Sequence, residues 1–345
     1  IASSGGVVAN LTIQGTTTAG VINTAFVFGG SGIATLDFAH SDTGYHFTTD
    51  GTSSGTAVAI TGSIAVTHTG SGTTTLAGAN TYTGGTTLAD GTIALDSSGA
   101  IGTTGTIAFT GGTLQFSAAN TTDYSSRFST AASQAVSLDT NGQDLSVATA
   151  LTSSGGSLTK SGTGTLSLSG ANTYDGGTTV SGGTLTLDGS GTLGATSGEI
   201  AVNTGGTLNL NGTSSAVGNL TGTGGTIVNN ASSTAITLTI GAGDANGGDY
   251  AGVIGDHSTG TGTLGLTKLG SGNLTLSGTN TYTGGTILNA GTLTLAHATD
   301  TLADSGTVTI TNGTLALGAN ADTVAAVSLT SGSITGSGTL TGTSY

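Results

Sequence analysis

Few side chains in this sequence could carry acid–base or nucleophilic chemistry. The basic residues are Arg127, Lys160 and Lys268 alone. Both lysines follow Leu-Thr, so they occupy the same position of a repeated segment, and His68 stands at that position in a further copy. A catalytic lysine would not be duplicated at matching repeat positions. We therefore expect a structural cation that pairs with an Asp or caps turn carbonyls.

The histidines carry a weak signal for metal binding. Asp37, His40, Asp42 and His46 are close in sequence and could form a metal site, because imidazole and carboxylate groups are zinc ligands. No His-x-His or His-x-x-x-His pair occurs, however. We therefore expect these four to be solvated loop residues. The full set of histidines is His40, His46, His68, His257 and His297.

Two oxygen-rich segments, Asp139–Asp144 and Asp244–Asp249, could hold Ca²⁺. Neither repeats with the nonapeptide calcium pattern, and neither ends in Glu. Their Asn-Gly and Gly-Gly pairs are ordinary turn signals. We expect turns at both places, with calcium as the weaker alternative, and we predict no metal site and no cofactor.

Hydrolytic and lyase chemistry lack the residues that they need. No Gly-x-Ser-x-Gly segment is placed between a strand and a helix. A polysaccharide lyase on a parallel β-helix would need basic residues to meet uronate, and this chain has only the three already named. Outward Thr rows could bind ice, but Ser, Asn, Gln and Ala interrupt them. The sequence thus predicts no catalytic residue and a protein that is not an enzyme.

Composition narrows the class of partner. The formal net charge is −14, which disfavours nucleic acid and anionic membrane surfaces, because both are bound through clustered Lys and Arg. No apolar run reaches the length of about 18 residues that a membrane-spanning helix requires. Charged residues make up only 6% of the chain, whereas Gly contributes 65 residues.

Internal repetition is the strongest signal. Residues 66–95, 158–187 and 266–295 align without gaps, and their tyrosines Tyr82, Tyr174 and Tyr282 lie 92 and 108 residues apart. An Asn two residues before each Tyr is expected to fix a corner, because Asn tolerates left-handed backbone and its amide can bond a turn. Each Tyr ring is expected to pack on the coil with its hydroxyl in solvent. These asparagines are Asn80, Asn172 and Asn280.

Short Leu-x-Leu strands between glycine-rich turns indicate β structure with alternating faces. Nearly the same strand sequence recurs along the chain. Identical strands stack best in parallel register, Leu above Leu and Thr above Thr. We predict one continuous solenoid over residues 1–345, with coils of about 20 to 25 residues. The least regular segments, 38–51 and 121–139, are the places to look for a binding insertion. Thr121 to Gln134 could hold a turn of helix.

The segment 158–187, which reads LTKSGTGTLSLSGANTYDGGTTVSGGTLTL, resembles the autotransporter-associated β-strand repeat of bacterial autotransporter passenger domains. The third segment matches as well, whereas the first departs at His68 and Thr74. The resemblance implies an all-β, right-handed, single-stranded parallel β-helix. It also implies an extracellular location at the surface of a Gram-negative or related bacterium.

Two functions remain open. The preferred one is a non-enzymatic structural protein whose rods associate with copies of themselves, head to tail or laterally, into a fibre or extended array. Its basis is that Ala19–Ile22 recurs as Ala251–Ile254 and that Gly336–Leu340 resembles Gly222–Ile227, so the sequence ends close to the point of the large repeat at which it begins. This is expected either of a segment of a longer array or of copies that stack end to end, and uncapped strand edges favour such stacking. The alternative is an adhesin stalk that binds a host surface or glycan.

Overall fold

A computed structural model describes residues 10–16, 19–21, 26–28 and 34–345, with only the backbone for 26–28. The chain divides into two compact units, residues 1–165 and 166–345. The predicted recurrence of Ala19–Ile22 reaches Ile22, which lies outside the described residues. That both units form one continuous solenoid stays a prediction.

The first unit is built from short parallel strands. They are β1 (Asn10–Gly15), β2 (Phe26–Phe28), β3 (Ala34–His40), β4 (Tyr45–His46), β5 (Ala59–Gly62), β6 (Ile64–His68), β7 (Thr73–Leu76), β8 (Thr81–Tyr82), β9 (Thr86–Leu88), β10 (Thr92–Leu95), β11 (Ile107–Phe109), β12 (Thr113–Gln115), β13 (Ala135–Asp139), β14 (Leu145–Val147) and β15 (Ser157–Ser161).

Strands β3 to β9 of this unit visit three sheets in turn, one strand in each sheet per coil. One sheet contains β1-β3-β6-β9-β11, a second contains β2-β5-β8, and β4, β7, β10, β12, β13 and β15 are consecutive neighbours in a third. Strands β10 to β12 then alternate between the third and the first sheet, and β14 belongs to a further sheet. Val66 pairs with Thr86, and Thr86 with Ile107, so a regular coil takes about 20 residues. This agrees with the predicted coil length.

The second unit is also built from short parallel strands, which from β27 to β35 alternate between two sheets. Its strands are β16 (Thr165–Leu168), β17 (Thr178–Val180), β18 (Gly183–Leu187), β19 (Glu199–Val202), β20 (Gly206–Asn209), β21 (Ser215–Val217), β22 (Asn219–Thr221), β23 (Thr226–Val228), β24 (Ile236–Ile240), β25 (Gly248–Tyr250), β26 (Val253–Ile254), β27 (Leu264–Lys268), β28 (Asn273–Leu276), β29 (Thr286–Leu288), β30 (Thr292–Leu295), β31 (Thr307–Ile310), β32 (Gly313–Gly318), β33 (Ala321–Leu329), β34 (Gly332–Gly336) and β35 (Thr339–Ser344).

The core of this unit includes a ladder of identical side chains. Leu274 lies beside Leu293, which lies beside Leu315, and all three are fully buried. On the opposite face of the same strands Thr275 lies beside Thr294. The ladder follows from the period of two, which sends alternate side chains to opposite faces. The prediction of an all-β parallel solenoid is confirmed.

Glycine is required where the repeats turn. Gly91 and Gly291 occupy matching positions with φ of +57° and +67°. A Cβ at Gly291 would lie 2.3 Å from the carbonyl oxygen of Gly272 in the preceding coil, so no other residue fits. The turn and the close stacking of coils therefore depend on the same residue.

Neither described unit contains an α-helix, although two 3₁₀ turns occur, at Ser125–Arg127 and Ala242–Asp244. The first of them confirms the predicted turn of helix within 121–134. Of the other irregular segment, residues 38–40 belong to β3 and 45–46 form β4. The chain leaves the coil only after β4, between Phe47 and Val58.

Candidate functional site

The two lysines are buried clamps on turn carbonyls. Lys160 Nζ donates to the carbonyl oxygens of Ser161 at 2.9 Å and Gly162 at 2.7 Å. Lys268 Nζ donates to those of Leu269 and Gly270. Both side chains are 0% exposed, and burial lowers the pKa of Lys160 to about 8, against an opposing effect of Asp139. The predicted carbonyl-capping role is confirmed.

His68 replaces this lysine with a hydrogen-bonded histidine pair. His68 Nδ1 lies 3.0 Å from the carbonyl oxygen of Asp90, so it carries the proton and donates. Its Nε2 then accepts from the Thr74 hydroxyl at 3.1 Å, which in turn accepts from His40 Nε2 at 2.7 Å. The expectation that His40 is a solvated loop residue is wrong, because His40 is the last residue of β3 and is 1% exposed.

Arg127 also serves the backbone. Its Nε and Nη2 donate to the carbonyl oxygens of Gly105 at 2.9 Å and Thr104 at 2.7 Å, and the guanidinium lies 5.6 Å from the centre of the Tyr124 ring. Unlike the lysines it keeps partial exposure, and it separates two surface clefts of about 710 and 260 Å³. Every basic side chain of the chain is thus bonded to turn carbonyls.

The repeated asparagines join neighbouring coils. Asn80 Oδ1 accepts from the Ile60 amide at 2.7 Å, and its Nδ2 donates to the Ala100 carbonyl at 2.6 Å. Asn280 makes the same bonds to Ile254 at 2.9 Å and Thr301 at 2.7 Å. The predicted corner is confirmed, but neither residue has positive φ. Asparagine suits this position because its one amide group both accepts and donates, and so links three coils.

The repeated tyrosines are buried, hydroxyl included. Tyr82 is 0% exposed and its hydroxyl lies 2.6 Å from that of Thr86. The pairs Tyr174–Thr178 and Tyr282–Thr286 repeat the bond at 2.6 and 2.7 Å. Burial raises the pKa of Tyr82 to about 12. The expectation of a solvated hydroxyl is wrong, because a threonine four residues on supplies the partner.

The segment from Phe47 to Val58 projects from the coil as a hairpin, here named the projecting hairpin. Thr48 and Ala57 form an antiparallel bridge, and the Val58 amide donates to the Phe47 carbonyl at 3.1 Å. Its tip, residues 52–54, is exposed. The first sequence-predicted insertion, 38–51, therefore contains only the first arm of this feature.

Hydrogen bonds fix the tip of the projecting hairpin. Asp50 Oδ1 accepts from the Thr52 amide and hydroxyl, each at 2.9 Å, and these bonds lower the pKa of Asp50. The Thr48 hydroxyl donates to the Thr52 carbonyl at 2.8 Å. A Cβ at Gly51, whose φ is +77°, would lie 2.8 Å from Val21, which is 54% exposed. The hairpin thus presents carboxylate and hydroxyl groups in a fixed arrangement, beside one exposed apolar side chain of a neighbouring segment.

Three segments of the chain match a known family of repeats. The passenger-associated-transport-repeat matches residues 66–95, 158–187 and 266–295. The chain carries three passenger-associated-transport repeats. They are the segments that contain the lysine or histidine clamp, the bridging asparagine and the buried tyrosine.

Part of the chain is similar to a curated protein. The chain is 35% identical over 167 residues to the adhesin BmaC autotransporter of Brucella suis biovar 1 (strain 1330). The match covers 47% of this chain and 5% of that protein, so the chain spans a small part of the relative's length. No solved structure matches the chain. No helix among the described residues is long and apolar enough to cross a membrane.

A second exposed loop follows the second passenger-associated-transport repeat, and sequence reasoning missed it. Residues 257–261 are exposed, between β26 and β27. Asp256 anchors the loop by accepting from the Leu264 and Thr283 amides, each at 2.9 Å. The signal was present in the spacing, because Tyr174 and Tyr282 are farther apart than Tyr82 and Tyr174.

In the two oxygen-rich turns, the carboxylates of Asp139, Asp144 and Asp244 accept hydrogen bonds from other groups of the protein. Asp139 accepts from the Asn141 amide at 2.9 Å and from Gln115 Nε2 at 2.8 Å. Asp144 accepts from the Thr165 amide at 2.8 Å, and Asp244 from the Ser271 amide at 2.6 Å. Within the described part of the chain, no three His, Asp or Glu side chains are grouped so as to hold a metal.

Proposed function

We propose that this chain is a non-enzymatic segment of an adhesin-type autotransporter passenger, displayed outside a bacterial cell. The observation that carries the proposal is the coincidence of three passenger-associated-transport repeats with 35% identity to an autotransporter adhesin. In this proposal the regular coils are a scaffold, and the projecting hairpin that leaves them makes contact with the ligand.

The division between scaffold and contact surface is supported by how side chains are used. In the repeats, the basic, amide and phenol groups are buried and hydrogen-bonded, the asparagines to neighbouring coils and the lysines and tyrosines within their own coil, which leaves outward Thr and Ser rows. The projecting hairpin instead exposes its tip while its backbone is already ordered by Asp50 and Thr48. A surface ordered before binding loses less entropy when it binds.

The ligand that fits such a surface is polar. The hairpin tip offers Thr and Ser hydroxyls with one carboxylate, and Val21 beside it offers a small apolar contact. Hydroxyls and carboxylates exchange hydrogen bonds readily with the hydroxyls of a glycan. A surface glycan is therefore the ligand class that we propose.

We propose that the chain is not an enzyme, because the side chains that could do acid–base or nucleophilic chemistry are already used in structural hydrogen bonds. A general base or nucleophile must be positioned against a substrate and poised in pKa. Lys160 and Lys268 are enclosed and bonded to carbonyls, and both ring nitrogens of His68 are used in hydrogen bonds. These groups hold turns together.

Adhesion of the purified chain tests the proposal. Beads coated with the chain are applied to cultured host cells, with albumin-coated beads as the reference and soluble chain as competitor. We expect retention above the albumin level and dose-dependent loss when soluble chain is added. Retention equal to albumin over a panel of cell types and glycan-coated surfaces would remove the proposal.

A second candidate is end-to-end association into a fibre. Strands β33 and β34 favour it, because Leu329 and Ile334 are 51% and 36% exposed. Further coils of a longer chain would cover the same strands. An experiment must therefore distinguish association between copies from continuation of the chain. Light scattering at rising concentration should show growing mass if copies stack, and a constant monomer mass rejects stacking.

A further inference from the structure

The corner that follows the third repeat contains three buried oxygen atoms without a hydrogen-bond partner. They are Asp300 Oδ1, Thr301 Oγ1 and Asp322 Oδ1. Thr301 is 0% and Asp322 is 3% exposed. Buried polar atoms are nearly always satisfied by protein, by water or by an ion. Three free oxygens at one corner therefore require a common explanation.

Hydrogen bonds bring Asp322 to the corner that contains Asp300 and Thr301. Asp322 Oδ2 accepts from the amides of Thr301 at 2.8 Å and Leu302 at 3.2 Å. This fixes the free Oδ1 over the same corner as the free Thr301 hydroxyl, and Asp300 is the preceding residue. Asp304 lies near enough for its charge to raise the pKa of both Asp300 and Asp322.

The two earlier repeats supply matched corners without this arrangement. In each repeat the asparagine Nδ2 donates to one corner carbonyl, which identifies Ala100, Thr192 and Thr301 as equivalent residues. The residue before them is Gly99, Gly191 and Asp300 respectively. The Thr192 hydroxyl donates to the Asn172 carbonyl at 2.9 Å, whereas that of Thr301 has no partner. Only the third corner combines acidic residues with unused oxygens.

No lysine or arginine neutralises this corner. Arg127, Lys160 and Lys268 are the only basic residues, and each is bonded to carbonyls elsewhere. The nearby base is His297, whose Nδ1 already accepts from the Asp300 amide at 3.3 Å. Burying carboxylates without a counter-charge is costly, and in folded proteins such groups take up a proton or a metal ion.

We infer that this corner binds Ca²⁺ through the free oxygens of Asp300, Thr301 and Asp322, with water completing the coordination. Ca²⁺ accepts carboxylate, hydroxyl and water oxygens together in irregular geometry, whereas Mg²⁺ demands near-octahedral order. Among the residues described, three acidic side chains do not converge. Two carboxylates give a modest site, with a Kd of about 10⁻⁴ to 10⁻³ M, the range of extracellular modules.

Burial raises the pKa of Asp322 to about 6, with smaller contributions from Asp300 and Asp304, which reflects the cost of leaving these carboxylates without a counter-charge.

Terbium luminescence and calorimetry test the inference on the whole chain. Beyond the larger effect of burial, the charge of Asp322 raises the pKa of Tyr282, so the two side chains are close, and the chain has no Trp. Tb³⁺ at the corner would thus be excited through tyrosine and displaced by Ca²⁺. We expect one such site, and in about 10 mM Ca²⁺ a rise of about 10- to 100-fold in the folding equilibrium constant.

Two variants make the result specific. Asp322→Asn removes the charge but can hydrogen-bond as the repeat asparagines do, so it should fold, and it should lose about tenfold or more in Ca²⁺ affinity. Asp188→Asn changes an exposed aspartate in the preceding repeat and should bind as the parent chain does.

Two results would overturn the inference. Binding that survives Asp322→Asn would place the ion elsewhere, for example in the turns 139–144 or 244–249. A parent chain that ignores Ca²⁺ and Tb³⁺ but gains stability as the pH falls from 7 to 5 would show that the carboxylates hold protons. Neither result depends on whether the chain is adhesive.

Discussion

Replacing Asn280 with Asp should destabilise the protein in a pH-dependent way. Asn280 is 1% exposed, its Oδ1 accepts from the Ile254 amide, and its Nδ2 donates to the Thr301 carbonyl at 2.7 Å. Aspartate keeps the acceptor. It loses the donor at neutral pH and sets a buried carboxylate against a carbonyl oxygen, so the change isolates the donating half of the bridge.

The magnitude follows from two limits. A buried charge without a partner costs about 3–5 kcal/mol. The penalty cannot exceed the cost of protonating the side chain instead, which is about 4 kcal/mol at pH 7 for a carboxyl with an unfolded-state pKa of about 3.9. We therefore expect a loss of about 3 to 4 kcal/mol at pH 7. At pH 5 the same limit falls to about 1.5 kcal/mol.

The sign follows from linkage. The carboxyl introduced by Asn280→Asp would have a raised pKa in the folded state, so the folded protein would bind the proton more tightly than the unfolded chain. Destabilisation is then largest at neutral pH and is relieved as the pH falls toward the unfolded-state pKa. The protonated carboxyl can donate to the Thr301 carbonyl as the amide does.

Urea unfolding followed by far-ultraviolet circular dichroism at pH 7 and pH 5 measures this difference against the parent chain at each pH. Asn289→Asp is the matched control, because the Asn289 side chain accepts from the Thr311 hydroxyl at 2.7 Å, a bond that Asp preserves. It should change stability by less than about 0.5 kcal/mol. Equal destabilisation by Asn280→Asp at both pH values would refute the proposed role of the donor.

Three further outcomes follow from the buried polar groups. Tyr174→Phe should cost about 1 kcal/mol, and much less when Thr178→Val is already present, in a double-mutant cycle of urea unfolding. Burial lowers the pKa of both His40 and His68, so stability is intact above pH 6.5 and should fall as the pH drops below it; a pH series of melting curves in which His40→Gln is as acid-sensitive as the parent would contradict this. Lys160→Met leaves the Ser161 and Gly162 carbonyls without their donor, so proteolysis should cut this turn faster than in the parent, and an unchanged cleavage rate would count against the clamp.

Local sequence patterns were enough to predict features formed by residues that are close together in the chain. The Leu ladder follows from period-two alternation, and the matching repeat positions of the two lysines led to the expectation of a structural cation that pairs with an Asp or caps turn carbonyls. The Tyr hydroxyl bond was also within reach of the sequence, since Thr lies four residues after each repeat tyrosine. The expectation of a solvated hydroxyl overlooked that partner.

Features that depend on contacts between coils were beyond the sequence. His40 is buried because Thr74, 34 residues away, receives its hydrogen bond. Asp322 meets Thr301 across 21 residues, and no local pattern links them. The projecting hairpin is visible only when the strands that flank it are known, since β4 lies inside the segment that looked irregular.

The most direct measurement of the central claim, that regular coils support a projecting contact surface, is bead retention under flow with a shortened hairpin. Residues 49–56 are replaced by a two-residue Asn-Gly turn, which fits the antiparallel pair Thr48–Ala57. A variant that shortens the loop 257–261 serves as the matched control, and circular dichroism verifies both folds. We expect the hairpin variant to lose most retention and the control to keep it. Full retention by a folded hairpin variant would contradict the account.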